Sequence, residues 1–267
     1  MAISALYAAA SGMRALDEKL NVTANNLANL NTVGFKQSRT NFEDLLYQVK
    51  QEPGVPNLDD IPSPHGILVG LGARVSGTQL DFAPGSLIEG VKTDLAIEGE
   101  GFFQVRTIDN GAEVTAYTRA GNFLVNRDGQ FVLGNSIGSP LEPPITVPPD
   151  APRESLRINE RGQVFVRVGG TDTQVGQITL VRFVNPEGLL SSGQNLFLAT
   201  DASGEPIEGN PGEDGIGTLT QGYLEQSNVD PVKELISLIF TQRAFELNSQ
   251  SIQSAEESLQ VVANLRR

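Results

Sequence analysis

The sequence predicts an α+β fold, in which helices at the two ends of the chain pair as a coiled coil and the middle forms a mostly antiparallel β domain with an extended proline-rich arm. Apolar residues recur at heptad spacing at both ends. Short β-branched runs separated by glycine turns fill the middle. The predicted domains are the terminal segments 1–33 and 228–267, a linker with the arm over 34–90, and the β domain over 91–227.

The amino-terminal segment predicts one helix with an apolar seam. Asp17 occupies one position of the heptad repeat where an apolar residue is expected. Gly34 follows the helix and is a candidate signal for its end. The seam has the seven-residue period of a coiled coil. Its members are Leu6, Met13, Leu20 and Leu27, with Ile3, Ala10 and Ala24 at the companion positions.

Asparagine is concentrated at the end of this helix, in the stretch NVTANNLANLN at residues 21–31. Asparagine competes with the helical backbone for hydrogen bonds, so helix propensity does not explain its density here. The side chains concerned are Asn21, Asn25, Asn29 and, in the carboxyl-terminal helix, Asn248. We expect these amides either to hydrogen-bond one another across packed helices and fix their register, or to face water.

The carboxyl-terminal segment predicts a second helix. Ser227, Asn228 and Asp230 are candidate caps, and Pro231 suits the first helical turn. Because ordering such helices costs more conformational entropy than two narrow seams return, neighbouring subunits would have to supply further buried surface. The second seam consists of Leu238, Phe245, Ile252 and Leu259, with Thr241, Asn248, Ala255 and Val262 as companions.

The middle of the chain reads as strands and turns. Asp128–Gly129 lies between two apolar runs, which is a strong hairpin signal. Residues 163–168 alternate between apolar and polar side chains, and residues 174–183 predict one longer strand. Residues 48–66 hold four prolines and predict the extended arm, whereas residues 201–217 are acidic and glycine-rich, as is typical of a surface loop.

Charge and composition exclude several classes of protein. Lysine and arginine number 19 against 32 acidic residues, and the net charge of −13 argues against nucleic acid or an anionic membrane as the main partner. The chain has no cysteine, so it has neither disulfides nor a cysteine-based metal site. No apolar run approaches the roughly 18 residues of a membrane span, and the amino terminus lacks the basic start of a cleaved signal peptide. We expect a soluble chain without direct membrane insertion.

Few residues suggest chemistry. His65 is the only histidine, and no partner at a suitable spacing supports a catalytic triad or a zinc site. Glu98 and Glu100 form a carboxylate pair, which keeps open the hypothesis of a glycan hydrolase. The acidic loop lacks the ligand spacing of an EF-hand. We predict no catalytic residue, no cofactor and no metal.

Several motifs together resemble the bacterial flagellar rod, hook and hook-associated family. They are ANNLANLNTVGFK at residues 24–36, FEDLLYQ at 42–48, SNVDPVKEL at 227–235 and QRAFELNSQ at 242–250. The middle of the chain matches in EGEGFFQV, YTRAGNFLVNRDGQFVLG and LVRFVNPEGLLSSGQNLF. Within the family, the length and the arm resemble a distal rod subunit most, with a proximal rod or hook paralogue as the alternative.

The resemblance implies a structural subunit that polymerises into a hollow helical drive shaft and transmits torque to the hook. It implies export by the flagellar type III apparatus without a cleaved signal peptide, and a place in the basal body between the periplasm and the outer membrane. The implied partners are other copies of the chain, the proximal rod and hook proteins, and the ring proteins around the rod. A cell-wall binding module on a coiled-coil stalk remains the alternative outside the family.

Together with the seams, the resemblance predicts an assembly interface. Its members come from both terminal segments and from the asparagine-rich stretch. They are Leu6, Met13, Leu20, Asn25, Asn26, Leu27, Asn29, Gly34, Phe35, Leu238, Phe245, Ile252 and Leu259.

Overall fold

The computed structural model describes residues 2–52, 65–109, 111–149, 155–168 and 170–265. Two long helices and many short strands, all paired antiparallel, confirm the predicted α+β class. The helices are α1 (Ala2–Ala28) and α2 (Pro231–Leu265). The strands are β1 (Ser38–Asp44), β2 (Tyr47–Gln51), β3 (Ile67–Gly70), β4 (Ala73–Leu80), β5 (Leu87–Glu89), β6 (Leu95–Glu98), β7 (Phe102–Asp109), β8 (Ala112–Thr118), β9 (Phe123–Val125), β10 (Phe131–Leu133), β11 (Leu141–Glu142), β12 (Arg157–Ile158), β13 (Gln163–Val168), β14 (Thr171–Gln177), β15 (Leu180–Arg182), β16 (Leu190–Gly193), β17 (Leu196–Leu198), β18 (Ile207–Gly209), β19 (Thr218–Gln221) and β20 (Tyr223–Glu225).

The chain forms two compact units. The helical unit comprises residues 1–28, 38–80 and 230–267, and the β unit comprises residues 29–37 and 81–229. The chain therefore passes between the two units four times, and each unit is built from segments that are distant in sequence.

In the helical unit, α1 and α2 pack against one another in opposite directions. The segment after α1 and the segment before α2 are bonded together, since the Gly34 N–H donates to the carbonyl oxygen of Glu225 at 2.8 Å. Gly12, near the middle of α1, lies beside Asn248, at the middle of α2. The end of α1 therefore lies near the start of α2, and the two helices are also in contact near their midpoints. Their pairing as a coiled coil stays a prediction.

Residues 34–90, predicted as linker and arm, contain five of the strands. Strands β1 and β4 form one antiparallel ribbon that packs on α1, and β2 and β3 form another. The prediction missed β1 because its sequence, SRTNFED, is polar and lacks an apolar face. Most of the predicted proline-rich arm, residues 53–64, lies outside the described residues.

The β unit is organised around a seven-stranded sheet. Its strand order is β16–β17–β8–β7–β15–β18, with β11 also paired to β7. A three-stranded sheet, β12–β13–β14, and the β9–β10 hairpin pack with it around one apolar core. Fully buried members of this core include Phe103, Phe123, Phe131, Leu141 and Ile178.

Two of the strand predictions had different outcomes. The hairpin at Asp128–Gly129 is confirmed, because β9 and β10 pair directly across this turn. The single strand over 174–183 is wrong, because the chain breaks at Ile178, whose N–H donates to the carbonyl oxygen of Gly162 at 2.8 Å. At this break the chain leaves the three-stranded sheet and enters the seven-stranded one.

Gly34 occupies a position that no other residue fits. Its φ of +69° lies in the left-handed region, and a Cβ there would lie 2.6 Å from the backbone nitrogen of Ala120. We expect Gly34→Ala to lower the free energy of unfolding by about 1–3 kcal/mol from backbone strain, and by more from the clash. Urea denaturation followed by circular dichroism measures this. Gly111→Ala is the control, since Gly111 has a φ of +84° but open space around it. Equal losses for the two variants would contradict the close contact.

Candidate assembly surface

Helix α2 begins at a well-defined cap. The Asp230 carboxylate accepts the N–H groups of Val232 and Lys233 at 3.0 and 3.3 Å, and these bonds lower the pKa of Asp230. Pro231 occupies the first helical position, where its missing N–H costs nothing. Of the three predicted caps, the structure therefore uses Asp230.

One face of α2 is shielded within the helical unit. Glu234 and Thr241 are buried, and Leu238 and Asn248 are half-buried. These positions follow the heptad spacing that the sequence predicted. The Thr241 hydroxyl donates back to the carbonyl oxygen of Ser237 at 2.7 Å, which satisfies this polar group in its buried position.

The opposite face of α2 is apolar and exposed. Phe240, for example, is 70% exposed. The side chains recur at helical spacing, so they form one continuous stripe. A helix that carries such an apolar stripe on the side facing away from its packed face normally lies inside a larger packed structure. We call this stripe the α2 ridge; it consists of Val232, Ile236, Ile239, Phe240 and Leu247.

A second exposed apolar surface lies on the β2–β3 ribbon. Leu46, next to the ribbon, is 83% exposed, and Val49 faces Leu68 across the two strands with both side chains exposed. A two-stranded ribbon is marginally stable in water unless it packs on something else. The α2 ridge and the exposed side chains of the β2–β3 ribbon therefore indicate that the helical unit binds other chains.

The predicted interface residues do not form one exposed patch. Among those in the helices, Asn25 is exposed and Asn26 is buried. Phe245 and Leu259 are partly exposed, at 41% and 37%. The half-buried ones are Leu6, Met13, Leu20, Leu27, Leu238 and Ile252. Their role in assembly stays a prediction.

Asn26 bonds within its own chain. Its amide donates to the carbonyl oxygen of Ser38 at 2.8 Å and accepts the Ser38 N–H at 2.9 Å. Asn29 accepts the Thr32 hydroxyl at 3.1 Å, and Asn29 and Phe35 are both half-buried. Part of the asparagine-rich stretch thus shapes the end of α1. The network expected between amides of packed helices stays a prediction.

A buried cluster of charges, which was not predicted from the sequence, is formed by Lys36, Arg119 and Glu225; we call it the Glu225 cluster. The Lys36 ammonium lies 2.6 Å from Oε1 of Glu225, and Arg119 Nη1 lies 3.5 Å from Oε2. The side chains of Lys36 and Glu225 are each 1% exposed. One carboxylate therefore balances two buried cations.

Backbone groups complete the cluster. Lys36 Nζ donates to the carbonyl oxygen of Ala83 at 2.8 Å, and Arg119 Nη2 donates to that of Gly99 at 2.7 Å. Burial lowers the pKa of Lys36 below its ordinary value of 10.5, and the nearby Glu225 carboxylate opposes this shift. Lys36 and Arg119 each lie inside a quoted motif, and these two charges were the available signal in the sequence.

The residues considered for catalysis are exposed. His65, Glu98 and Glu100 all lie at the surface, and the nearest cation described for Glu100 is Arg182, 3.9 Å away. Within the described ranges, no group of acidic or histidine side chains is arranged to hold a metal ion. No helix in the part of the chain that the structure covers is long and apolar enough to span a membrane.

Three family profiles match the chain. They are described as flagella basal body rod protein at residues 6–36, flagellar hook protein FlgE/F/G D1 domain at residues 96–166, and flagellar basal body rod FlgEFG protein C-terminal at residues 220–265.

Several characterised proteins are similar over almost the whole chain. The flagellar basal-body rod protein FlgG of Agrobacterium fabrum is 44% identical, with 97% of this chain and 98% of the relative covered. FlgG of Borreliella burgdorferi is 40% identical, with 98% of each chain covered. The flagellar hook protein FlgE of Escherichia coli is 43% identical over 42% of this chain and 28% of its own length. The similarity to the rod proteins therefore covers almost the whole chain, whereas the similarity to the hook protein covers less than half of it.

Proposed function

The chain belongs to the flagellar basal-body rod protein FlgG family, and from this premise we propose that it polymerises into the rod as a hollow helical drive shaft. It is a structural subunit of the basal body and not an enzyme. In the polymer, α1 and α2 pair as a coiled coil and pack against the helices of other subunits. We also propose that the proline-rich arm contacts neighbouring subunits and stiffens the rod.

The observation that carries this proposal is the α2 ridge. In a single subunit, the five large apolar side chains of the ridge are exposed to water. They lie on the side of α2 opposite to the face that packs within the helical unit. Packing between subunits buries them at a gain of about 25 cal/mol for each Å² removed from water. A contact between two different faces of the chain produces a helical filament when its rotation does not close into a ring.

The proposed partners follow from the family. They are other copies of the chain, the proximal rod and hook proteins at the ends of the polymer, and the ring proteins around it. The chain reaches this place through the type III export apparatus without cleavage of a signal peptide. The polymer lies between the periplasm and the outer membrane.

A ridge variant tests polymerisation. We expect Ile239→Asp/Phe240→Asp to raise the concentration for assembly at least about a hundredfold, because each aspartate would have to be buried without a partner. Sedimentation and electron microscopy at increasing concentration measure this, with circular dichroism to verify folding. Ile108→Asp is the control, since Ile108 is equally accessible but lies in the β unit. Failure of the unmodified chain to form tubes at any concentration would refute the proposal.

A further inference from the structure

The helical unit contains a groove between α1 and the β1–β4 ribbon, which we call the α1–β4 groove. It has a volume of about 600 Å³, and it opens to solvent along α1. Small side chains form much of its floor, and Ser11 holds its edge by accepting the Ala73 N–H at 3.3 Å. Its apolar lining consists of Tyr7, Ala10, Ala15, Leu45 and Val75.

The α2 ridge of the same chain does not fill this groove. The packed face of α2 lies against α1, where Asn248 meets Gly12. The ridge lies on the other side of α2, whereas the groove lies on the side of α1 that packs on β1 and β4. Ridge and groove are thus separate surfaces of the helical unit, and each needs a second chain.

We propose that the α2 ridge of one copy docks in the α1–β4 groove of a second copy. This inference rests on the proposed function, and it names the two surfaces that meet. Large side chains on the ridge complement small ones in the groove, so that Phe240 enters beside Ala10. The contact joins two different surfaces, so it leaves a free ridge at one end and a free groove at the other.

Charged side chains border both surfaces. On the ridge, Arg243 lies between Phe240 and Leu247, and its exposed guanidinium is 2.7 Å from Glu246. In the groove, Arg14 lies one helical turn beyond Ala10, Asp17 and Glu18 lie two turns beyond it, and Arg74 lines the β4 side. In the proposed contact α2 runs parallel to α1, so that Arg243 extends past Arg14 towards Asp17 and Glu18, with Glu18 as its new partner.

The absence of cysteine allows a direct test by cross-linking. Full-length chains carrying Phe240→Cys are mixed with full-length chains of different mass carrying Ala10→Cys, and the mixture is oxidised under conditions of assembly. We expect the mixed dimer as the main product. Ile108→Cys replaces Phe240→Cys in the control mixture, which is expected to give no mixed dimer above background.

The products distinguish this proposal from the proposed function. Phe240→Cys chains that link only to one another would overturn the proposal, because ridge would then meet ridge. Tubes that form without the mixed dimer would overturn it while leaving polymerisation intact. Chains that neither sediment nor cross-link would overturn both.

A charge exchange tests the same contact without cysteines. We expect Arg243→Glu to raise the assembly concentration about tenfold, because a like charge then faces Glu18. Adding Glu18→Arg to that variant is expected to restore assembly. A double variant that assembles no better than Arg243→Glu alone would overturn the predicted pairing.

Discussion

Glu225→Gln is expected to lower the free energy of unfolding of the β unit by about 3–5 kcal/mol, because it leaves two buried cations without their carboxylate. Lys36 and Arg119 have almost no access to water that would replace it. The substitution keeps the size of the side chain, so the loss measures charge and not packing. Urea denaturation followed by circular dichroism reports the difference.

Two further variants isolate the electrostatic cause. Lys36→Met is expected to cost less than Glu225→Gln, because Glu225 keeps Arg119 as its partner. Glu113→Gln is the surface control and is expected to change little, since Glu113 is exposed. A Lys36→Met variant that is less stable than Glu225→Gln would contradict the assignment of Glu225 as the centre of the cluster.

The pH dependence has a defined sign. Burial lowers the pKa of Lys36 in the folded chain below 10.5, its value in the unfolded chain. At a pH between the folded and the unfolded pKa, the unfolded chain therefore binds more protons than the folded one. The free energy of unfolding rises with pH across this range. This contribution is complete above 10.5 and is lost as the pH falls through the folded pKa. Removing the Glu225 carboxylate lowers the Lys36 pKa further, so the rise should begin at a lower pH in Glu225→Gln than in the unmodified chain.

Elements whose ends are fixed by neighbouring residues, such as the start of α2 and the β9–β10 hairpin, could be predicted from the sequence. The start of α2 follows from Asp230 and Pro231, because a cap and a proline act on the adjacent turn. The hairpin at Asp128–Gly129 follows from its turn residues. The prediction that Gly34 stops α1 is wrong, because the helix ends at Ala28 and the Thr32 N–H bonds to the carbonyl oxygen of Asn29 in a turn that asparagine favours.

Contacts between segments that are distant in the sequence could not be predicted from patterns of neighbouring residues. The Glu225 cluster joins residues 189 positions apart, and nothing near Lys36 in the sequence identifies its partner. The break at Ile178 likewise depends on Gly162 and on a change of sheet. The α2 ridge was missed for another reason. A heptad interpretation seeks one apolar face, whereas the run LISLIF at residues 235–240 is apolar all round.

A chain that ends at Val229 is expected to lose assembly completely while its β unit stays folded. The truncation removes α2 with its ridge, so no surface remains to fill the groove of a second copy. The β unit keeps Asn228, whose amide accepts the Gln37 N–H at 2.7 Å and donates to the carbonyl oxygen of Asp81 at 2.8 Å. Sedimentation measures assembly, and the cooperativity of urea unfolding measures the fold of the β unit.

A second truncation, after Leu224, shows why the position of the cut matters. It removes Glu225 and Asn228, which together bond residues 34–37 to residues 81–85. Both shortened chains lack α2, so neither should assemble, but only the shorter one leaves Lys36 and Arg119 without a carboxylate. We therefore expect cooperative unfolding for the chain ending at Val229 and its loss for the chain ending at Leu224. Equal stability of the two would show that the Glu225 cluster does not hold the β unit together, whereas tubes from either would show that α2 is not required for polymerisation.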